Sequence, residues 1–171
     1  MYVDETRLRL QWARITEWEP KREGIEHAIV VDGAAASILR AGQVGAVIAG
    51  ADRIAANGDV DNRIGTYPLA LATRASGVPF YVAAPVSTID PTTPNGEAVP
   101  IEACDQAELL QVEGVDKAGV PRRVRMTPEG SSAVNPAFDV TLAEPVTGII
   151  TERGVIAASR AGISGVLSAG R

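Results

Sequence analysis

The chain contains one cysteine and one histidine among its 171 residues. A single cysteine, Cys104, excludes a disulfide framework within the chain and is typical of proteins of the reducing cytoplasm. A single histidine, His27, excludes a metal site built from several histidines. His27 precedes an apolar run and Cys104 follows a proline-rich loop, so we expect the first to be structural and the second to be inert.

An excess of positive charge and long apolar runs are also missing. The 16 Lys and Arg residues stand against 21 Asp and Glu residues, for a formal net charge of −5. Neutralising nucleic-acid phosphates requires a basic face, so this balance argues against a nucleic-acid partner. No uncharged apolar run approaches the roughly 18 residues of a membrane helix, and the opening MYVDETRLRL lacks the apolar segment of a signal peptide. We therefore expect a cytoplasmic protein that binds neither nucleic acid nor membrane.

With 46% hydrophobic residues, the chain can bury a substantial core. Short apolar runs predict strands at residues 1–5, 27–32, 45–51, 78–85 and 138–141. Helical patterns predict helices at residues 8–19, 33–43 and 62–77, with a helical end piece at 143–154. Residues 87–100 are predicted to be a loop, and the polar stretch 110–134 to be irregular with a hairpin. This alternation predicts the α/β class, a Rossmann-like parallel sheet with helices on both faces, as a single domain over residues 1–171.

The most informative stretch is AGADRIAANGDVDNRIGTYPLALA, residues 49–72. Asp52 follows the buried strand AVIAGA, and ligands of doubly wound sheets bind beyond the carboxyl ends of strands. Small residues surround Asp52, which leaves room for a ligand. A carboxylate in such a place is suited to general acid or base catalysis. The tripeptide Asn57-Gly58-Asp59 predicts a turn in which Gly58 takes a positive φ.

Asn62 and Arg63 fall where the predicted helix begins. Helix N-termini offer free N–H groups and a positive dipole end, and Arg63 adds a charged donor, so these residues could hold a phosphate or another anion. The stretch is neither a P-loop nor a GxGxxG fingerprint, which argues against nucleotide binding. Plainer interpretations stay open: Asp52 as a helix cap or turn former, Asn62 and Arg63 as a solvated first turn, and Arg53 as a surface ion pair.

The block GADRIAANGDVDNRIGTY, followed by GVPFYVAAPVSTID, resembles the methylthioribose-1-phosphate isomerases. That superfamily also contains ribose-1,5-bisphosphate isomerase and the alpha, beta and delta subunits of the exchange factor of eukaryotic translation initiation, factor 2B. VDETRLRLQWARITEWE near the start and NPAFDVTLAEPVTGIITERG near the end agree with it, so the likeness covers nearly the whole chain. The Asp-Arg pair and the ANGD sequence favour the isomerase branch.

The resemblance implies a reaction of methionine salvage, in which 5-methylthioribose 1-phosphate becomes 5-methylthioribulose 1-phosphate. It implies that Asp52 is the catalytic acid and base, that Asn62 and Arg63 hold the substrate phosphate, and that Gln11 contacts the substrate. It implies a homodimer and neither a metal nor an organic cofactor.

Several positions depart from the family pattern. Arg63 replaces a more usual lysine, and Asp61 places a negative charge where a small neutral residue is commoner. The family's N-terminal helical domain and its catalytic cysteine in a Thr-x-Cys-Asn segment are not in this sequence, and Cys104 lies in another context. We therefore expect the chain to correspond to the C-terminal half of such an isomerase. A non-catalytic ligand-binding or assembly module of the translation-factor branch, and a ribose-1,5-bisphosphate isomerase, are the alternatives.

Overall fold

The computed structural model of the chain describes residues 1–6 and 18–169. Within them the strands are, in chain order, β1 (Tyr2–Asp4), β2 (Ala28–Val30), β3 (Val47–Ala49), β4 (Arg53–Ala55), β5 (Val60–Arg63), β6 (Phe80–Ala83), β7 (Ile89–Asp90), β8 (Gln111–Val115), β9 (Pro121–Arg125), β10 (Phe138–Thr141), β11 (Gly148–Thr151) and β12 (Gly154–Ile156). The α-helices are α1 (Trp18–Arg22), α2 (Ala35–Arg40), α3 (Thr66–Ala75), α4 (Ala107–Leu110) and α5 (Arg160–Ser168). Short 3-10 helices cover Asp32–Ala34, Val86–Thr88 and Gly96–Ala98.

The chain divides into two compact units. The first comprises Met1–Ile29 and Glu102–Ala137, and the second comprises Val30–Ile101 and Phe138–Arg171. All the described residues that the sequence marks as site candidates belong to the second unit.

The first unit contains β1 with residues 28 and 29 of its partner strand β2, and the antiparallel hairpin of β8 and β9. In the hairpin turn, the Asp116 carboxylate accepts hydrogen bonds from the backbone N–H groups of Ala118 and Val120, at 2.9 and 3.0 Å. Gly119 takes a φ of +79°, which glycine adopts without steric cost. The hairpin predicted within residues 110–134 is therefore confirmed.

The second unit is built on a four-stranded sheet of order β12-β11-β6-β3. Strands β3, β6 and β11 are parallel, and β12 pairs antiparallel with β11. The side chains of Phe80, Val82 and Ile149, from the two central strands, are fully buried in the core, together with Ala70 from α3 and Ile163 from α5. The predicted α/β class is confirmed, because parallel strands form the centre of this sheet and helices α3 and α5 share its core. Such helices keep water away from the faces of a parallel sheet.

A second four-stranded sheet of order β10-β5-β4-β7 lies in the same unit. Strand β5 pairs antiparallel with both β10 and β4, and β4 pairs parallel with β7. The hairpin of β4 and β5 was not predicted, because its strands are short and carry charged residues in place of an apolar run. This hairpin lies directly after the position of Asp52.

Three expected elements differ from the structure. The helix predicted over 62–77 begins only at Thr66, because residues 60–63 pair as a strand with β10. The end piece predicted as helical over 143–154 contains β11, whose Ile149 and Ile150 pair in register with β6. The run at 27–32 forms β2, but β2 pairs with β1, and Ala28 and Ile29 are exposed rather than buried. In each case long-range pairing overrides the local pattern.

Of the helix predicted over 8–19, residues 8–17 lie outside the described residues. α1 passes through Pro20, which stands in its first turn, and ends at Arg22. A proline is tolerated there because the first N–H groups of a helix have no intrahelical partner. In the part of the chain that the structure describes, none of the helices is both long and apolar enough to cross a membrane.

Candidate active site

Asp52 lies between the end of β3 and the start of β4, beyond the carboxyl end of a parallel strand, as the sequence predicts. Its backbone N–H donates a 2.9 Å hydrogen bond to the carbonyl of Asp61, the residue that the β4–β5 register sets opposite Arg53. Ala55 and Ala56, two of its small neighbours in sequence, are buried, whereas Asp52 itself is exposed. The carboxylate is therefore open to a ligand arriving from solvent.

The turn Asn57-Gly58-Asp59 connects β4 to β5, and Gly58 has a φ of +94°, as the sequence predicts. The buried carboxylate of Asp59 accepts hydrogen bonds from the side-chain amide of Asn57 and from the backbone N–H of Gly96, at 2.8 and 2.9 Å. Its second oxygen accepts another from the N–H of Ala143 at 2.9 Å. Asp59 thus ties the hairpin turn to two other loops and serves as a structural residue.

Asn62 and Arg63 end strand β5, and α3 begins three residues after Arg63. Both residues are half-buried. The Asn62 side-chain amide donates to the Thr66 hydroxyl at 2.9 Å, and that hydroxyl donates to the carbonyl of Arg63 at 2.8 Å. Asn62 is therefore fixed against the first turn of α3, although it is not part of the helix.

The guanidinium of Arg63 lies over the ring of Phe138, 4.7 Å from its centroid. These two residues are register partners across β5 and β10, so their side chains project from the same face of the sheet. A cation above an aromatic face is attracted by the ring quadrupole. Phe138 therefore orients Arg63 and leaves the edge of its guanidinium as a source of hydrogen-bond donors.

The N-terminus of α3 is capped by Asp139, a residue that local sequence reasoning missed. Its carboxylate accepts hydrogen bonds from the backbone N–H groups of Gly65 and Tyr67, at 2.7 and 3.0 Å. Burial raises the pKa of Asp139, and the hydrogen bonds from Gly65 and Tyr67 oppose that rise. A phosphate approaching this helix terminus would share its donors with Asp139. The only sequence signal was an aspartate in the apolar strand FDVT.

Asp61, which lies next to Asp52, is a buried acid whose pKa is shifted. It is 9% exposed, and its Oδ1 has no hydrogen-bond partner among the described residues. Burial and, after it, the charge of Asp52 raise the pKa of Asp61 to about 6, while Arg53 opposes the rise and Asp139 adds to it. The sequence identified Asp61 as an unusual charge, but its burial follows from the position of β5 between two other strands.

Arg53 forms the expected surface ion pair. Its guanidinium lies 3.4 Å from the carboxylate of Asp90, and both side chains are partly exposed. Hydrogen bonds from the Thr92 and Thr93 side chains and the Thr92 backbone N–H, together with Arg53, lower the pKa of Asp90 to about 2. The Arg53 charge is thus shared between Asp90 and Asp61.

Asp52 is hydrogen-bonded to Asp61 of β5, and Asn62 and Arg63 follow Asp61 in that strand, so the three candidates supply a carboxylate, an amide and a cation along one hairpin. Gln11 lies outside the described residues. Cys104 is a half-buried free thiol in the first unit, where its backbone N–H donates to the carbonyl of Asn135 at 2.7 Å. Among residues 1–6 and 18–169, no group of three or more His, Cys, Asp or Glu side chains could hold a metal ion.

Comparison with known proteins identifies relatives for almost the entire chain. The model of the initiation factor 2 subunit family matches residues 1–158. A methylthioribose-1-phosphate isomerase of Dechloromonas aromatica is 52% identical over 163 residues, which cover 95% of this chain and 45% of that protein. A protein of the same name from Methylocella silvestris is 49% identical over 165 residues, 96% of this chain and 45% of that protein. The chain thus spans about half the length of the curated relatives that it matches.

Two solved structures resemble the chain almost equally. The 5-methylthioribose 1-phosphate isomerase of Pyrococcus horikoshii OT3 superposes with a TM-score of 0.88 at 40% identity, covering 98% of this chain and 45% of that one. The translation initiation factor eIF-2B subunit delta of A. fulgidus superposes with a TM-score of 0.86 at 35% identity, covering 98% and 46%. The shared fold is therefore common to both branches, and function has to be argued from the site.

Proposed function

The chain belongs to the initiation factor 2 subunit family, and on that premise we propose that it is the half of a sugar-phosphate isomerase that carries the catalytic aspartate and part of the phosphate site. The proposed reaction converts 5-methylthioribose 1-phosphate into 5-methylthioribulose 1-phosphate, an aldose-to-ketose isomerisation within methionine salvage. The observation that carries the proposal is the 52% identity to a methylthioribose-1-phosphate isomerase across 95% of the chain. The exposed carboxylate of Asp52 at the end of β3 supplies the chemical group that such a reaction requires.

The substrate explains why a carboxyl group is needed. Because its anomeric oxygen carries phosphate, the sugar ring cannot open as a free hemiacetal does. An acid has to protonate the ring oxygen as the ring opens, and a base has to move a proton between C1 and C2. In the proposed mechanism Asp52 serves as an acid and a base, alongside the cysteine that the resemblance places in the other half of the enzyme, and its exposure gives the sugar access to it.

The anionic end of the substrate is assigned to Asn62 and Arg63, with Gln11 as a further substrate contact. Arg63 is held by Phe138 with its charge available, and Asn62 is fixed beside the first turn of α3. A guanidinium can donate two parallel hydrogen bonds to phosphate oxygens, which an ammonium cannot match in geometry. The α3 terminus adds a positive dipole end, shared with Asp139.

The test uses this chain alone and as a replacement for the matching half of the Dechloromonas aromatica protein. Conversion of 5-methylthioribose 1-phosphate is followed by NMR of the sugar carbons, with Asp52→Asn as the variant. We expect turnover in the chimera and its loss by at least about 10³-fold in Asp52→Asn, with substrate affinity retained. Full activity of the Asp52→Asn chimera contradicts the acid–base role.

A second candidate is a non-catalytic ligand-binding or assembly module. The observation that favours it is the TM-score of 0.86 with an eIF-2B subunit delta. A binding module has no need of a carboxylate at position 52. Ligand binding without turnover, equal in the unaltered chimera and in Asp52→Asn, would therefore favour it. To test for a ribose-1,5-bisphosphate isomerase, ribose 1,5-bisphosphate is supplied in the same assay. Its conversion would favour that enzyme.

We extend the proposal to the setting of the protein. The single cysteine and the lack of excess positive charge fit a cytoplasmic enzyme without a nucleic-acid partner. We also propose a homodimer, by analogy with the family. Light scattering of the purified chain tests the dimer directly, since a clean monomer at micromolar concentration contradicts it.

A further inference from the structure

The carboxyl group of Asp61 has no role in the mechanism proposed above, although it lies beside the residue that carries that mechanism. Asp61 is 9% exposed, and its Oδ1 lacks a hydrogen-bond partner among the described residues. A buried carboxylate oxygen without a donor is costly when the group is ionised, and protonation relieves that cost. The site therefore favours the neutral acid.

The neighbours of Asp61 on each packed element explain why its charge is poorly offset. On β4 the residue opposite is Arg53, which is already paired with Asp90 at 3.4 Å. On β10 the residue opposite is Val140, which is apolar, and the next residue, Asp139, is acidic. Asp52 adds a negative charge from the segment before β4. On β5 itself, Arg63 projects from the same face, but its guanidinium is stacked on Phe138. The nearby cations are thus engaged elsewhere while two acids lie close, so the surroundings disfavour ionisation of Asp61.

Asp52 and Asp61 are also fixed to each other. The N–H of Asp52 donates to the carbonyl of Asp61 at 2.9 Å. The residue after Asp52, Arg53, is the register partner of Asp61 across β4 and β5. This backbone link keeps the two residues adjacent, so the charge of each carboxyl group affects the other.

We propose that Asp61 is a positioning residue that sets the charge around Asp52, holding a proton in mildly acidic solution and releasing it as the pH rises. The proposal rests on the proposed function, because it concerns the site of Asp52. When Asp61 ionises, the site gains a second negative charge next to the groups assigned to the substrate phosphate. The added repulsion is expected to weaken binding of an anionic sugar by about two- to tenfold.

The decisive experiment needs no substrate. The side-chain carboxyl carbons of ¹³C-labelled aspartates are titrated by NMR in the wild-type chain, in Asp61→Asn for assignment, and in Asp52→Asn. Glu144→Gln is the matched control, because Glu144 is an exposed acid paired with Arg74 at 2.8 Å. We expect the Asp61 resonance to titrate near pH 6 in the wild type, to titrate at lower pH in Asp52→Asn, and to be unchanged in Glu144→Gln.

A titration of Asp61 in the ordinary aspartate range, or one that is identical in the wild type and Asp52→Asn, overturns the proposal. Asp52→Ala serves as a second variant, so that a local distortion by the amide is not mistaken for a loss of charge. Amide spectra of each variant verify the fold.

The functional arm compares kcat/KM from pH 5 to pH 8 for the wild type and Asp61→Asn, in whichever form turns over. The substrate phosphate also titrates near pH 6, but it does so equally in both proteins, so the ratio isolates Asp61. At about pH 5 we expect the two proteins to have equal kcat/KM. At about pH 8 we expect the KM of Asp61→Asn to be roughly two- to tenfold lower than that of the wild type. A flat ratio overturns the charge role. Absence of turnover in all forms contradicts the proposed function, whereas the carboxyl titration still decides this inference.

Discussion

Asp139 accepts a 2.7 Å hydrogen bond from the backbone N–H of Gly65, although 74 residues separate the two in sequence. The same carboxylate accepts a second bond from the N–H of Tyr67. Strand β10 thereby fixes the position of the α3 N-terminus, next to the two residues assigned to the substrate phosphate. The stability of the helix and the geometry of the site therefore depend on one side chain.

We expect Asp139→Ala to lower the free energy of unfolding by about 1–3 kcal/mol, because two backbone N–H groups of a helix N-terminus lose their acceptor. Asp139→Asn, whose side-chain oxygen still accepts, should lose less. Urea denaturation at neutral pH measures both. Equal stability of Asp139→Ala and the wild type would show that water replaces the carboxylate without loss.

The raised pKa of Asp61 has a consequence for stability. In the unfolded chain the pKa of Asp61 is near 3.8, and in the folded chain it is about 6, so the folded state binds the proton more tightly. The resulting stabilisation is complete below about pH 4 and is lost as the pH rises through about 6, by on the order of 1–3 kcal/mol. Asp61→Asn should therefore be less sensitive to pH than the wild type when urea unfolding is compared at about pH 4.5 and about pH 7.5.

The control for that comparison is Asp116→Asn. Hydrogen bonds from the backbone N–H of Val120 and the side chain of Arg122 lower the pKa of Asp116, so its contribution to stability is present above the unfolded pKa of 3.8 and is lost only as the pH falls below that value. Asp116→Asn should thus show the same difference between the two pH values as the wild type. An equally large difference in Asp61→Asn would mean that another group carries the effect.

Arg63→Ala should weaken binding of the phosphorylated sugar by about tenfold or more, because a charge-assisted contact is lost. Arg63→Lys should recover only part of the affinity, since lysine keeps the charge but not the planar stacking on Phe138. Isothermal calorimetry on the form that binds substrate measures both. Arg74→Ala, which removes a surface cation paired with Glu144, is the control and should bind normally. Unchanged affinity in Arg63→Ala removes this residue from the phosphate site.

Gly58 makes the turn of the β4–β5 hairpin possible. A Cβ there would lie 2.5 Å from the carbonyl carbon of Ala158 and 2.7 Å from the nitrogen of Ser159, and the φ is +94°. Gly58→Ala should destabilise the chain by about 2–4 kcal/mol through clash and backbone strain together. At Gly65 the φ is +107° but nothing lies within 4 Å of an added Cβ. Gly65→Ala should therefore lose only the strain component of about 1 kcal/mol. Equal midpoints of thermal unfolding for Gly58→Ala and Gly65→Ala would contradict a steric clash at position 58.

Features encoded in short stretches could be predicted from the sequence. The Asn57-Gly58-Asp59 turn, the strand at 138–141 and the placement of Asp52 after β3 all depend on a few consecutive residues. The errors occurred where the local pattern was ambiguous. Ile149 and Ile150 are apolar enough for a helix or a strand, and only their pairing with β6 makes them a strand. The roles of Asp52, Asn62, Arg63 and Gln11 remain predictions.

The sequence by itself determined the α/β class, the family and the positions of the candidate acid and cation, because these depend on periodicity and on one long specific block of residues. Only the tertiary structure decided that Asp61 is buried without a hydrogen bond to its Oδ1 from the described residues, and that Asp139 caps α3. Both facts result from strands that are distant in sequence and meet across β5. Burial and long-range hydrogen bonding are properties of that assembled sheet, so no local pattern of residues encodes them.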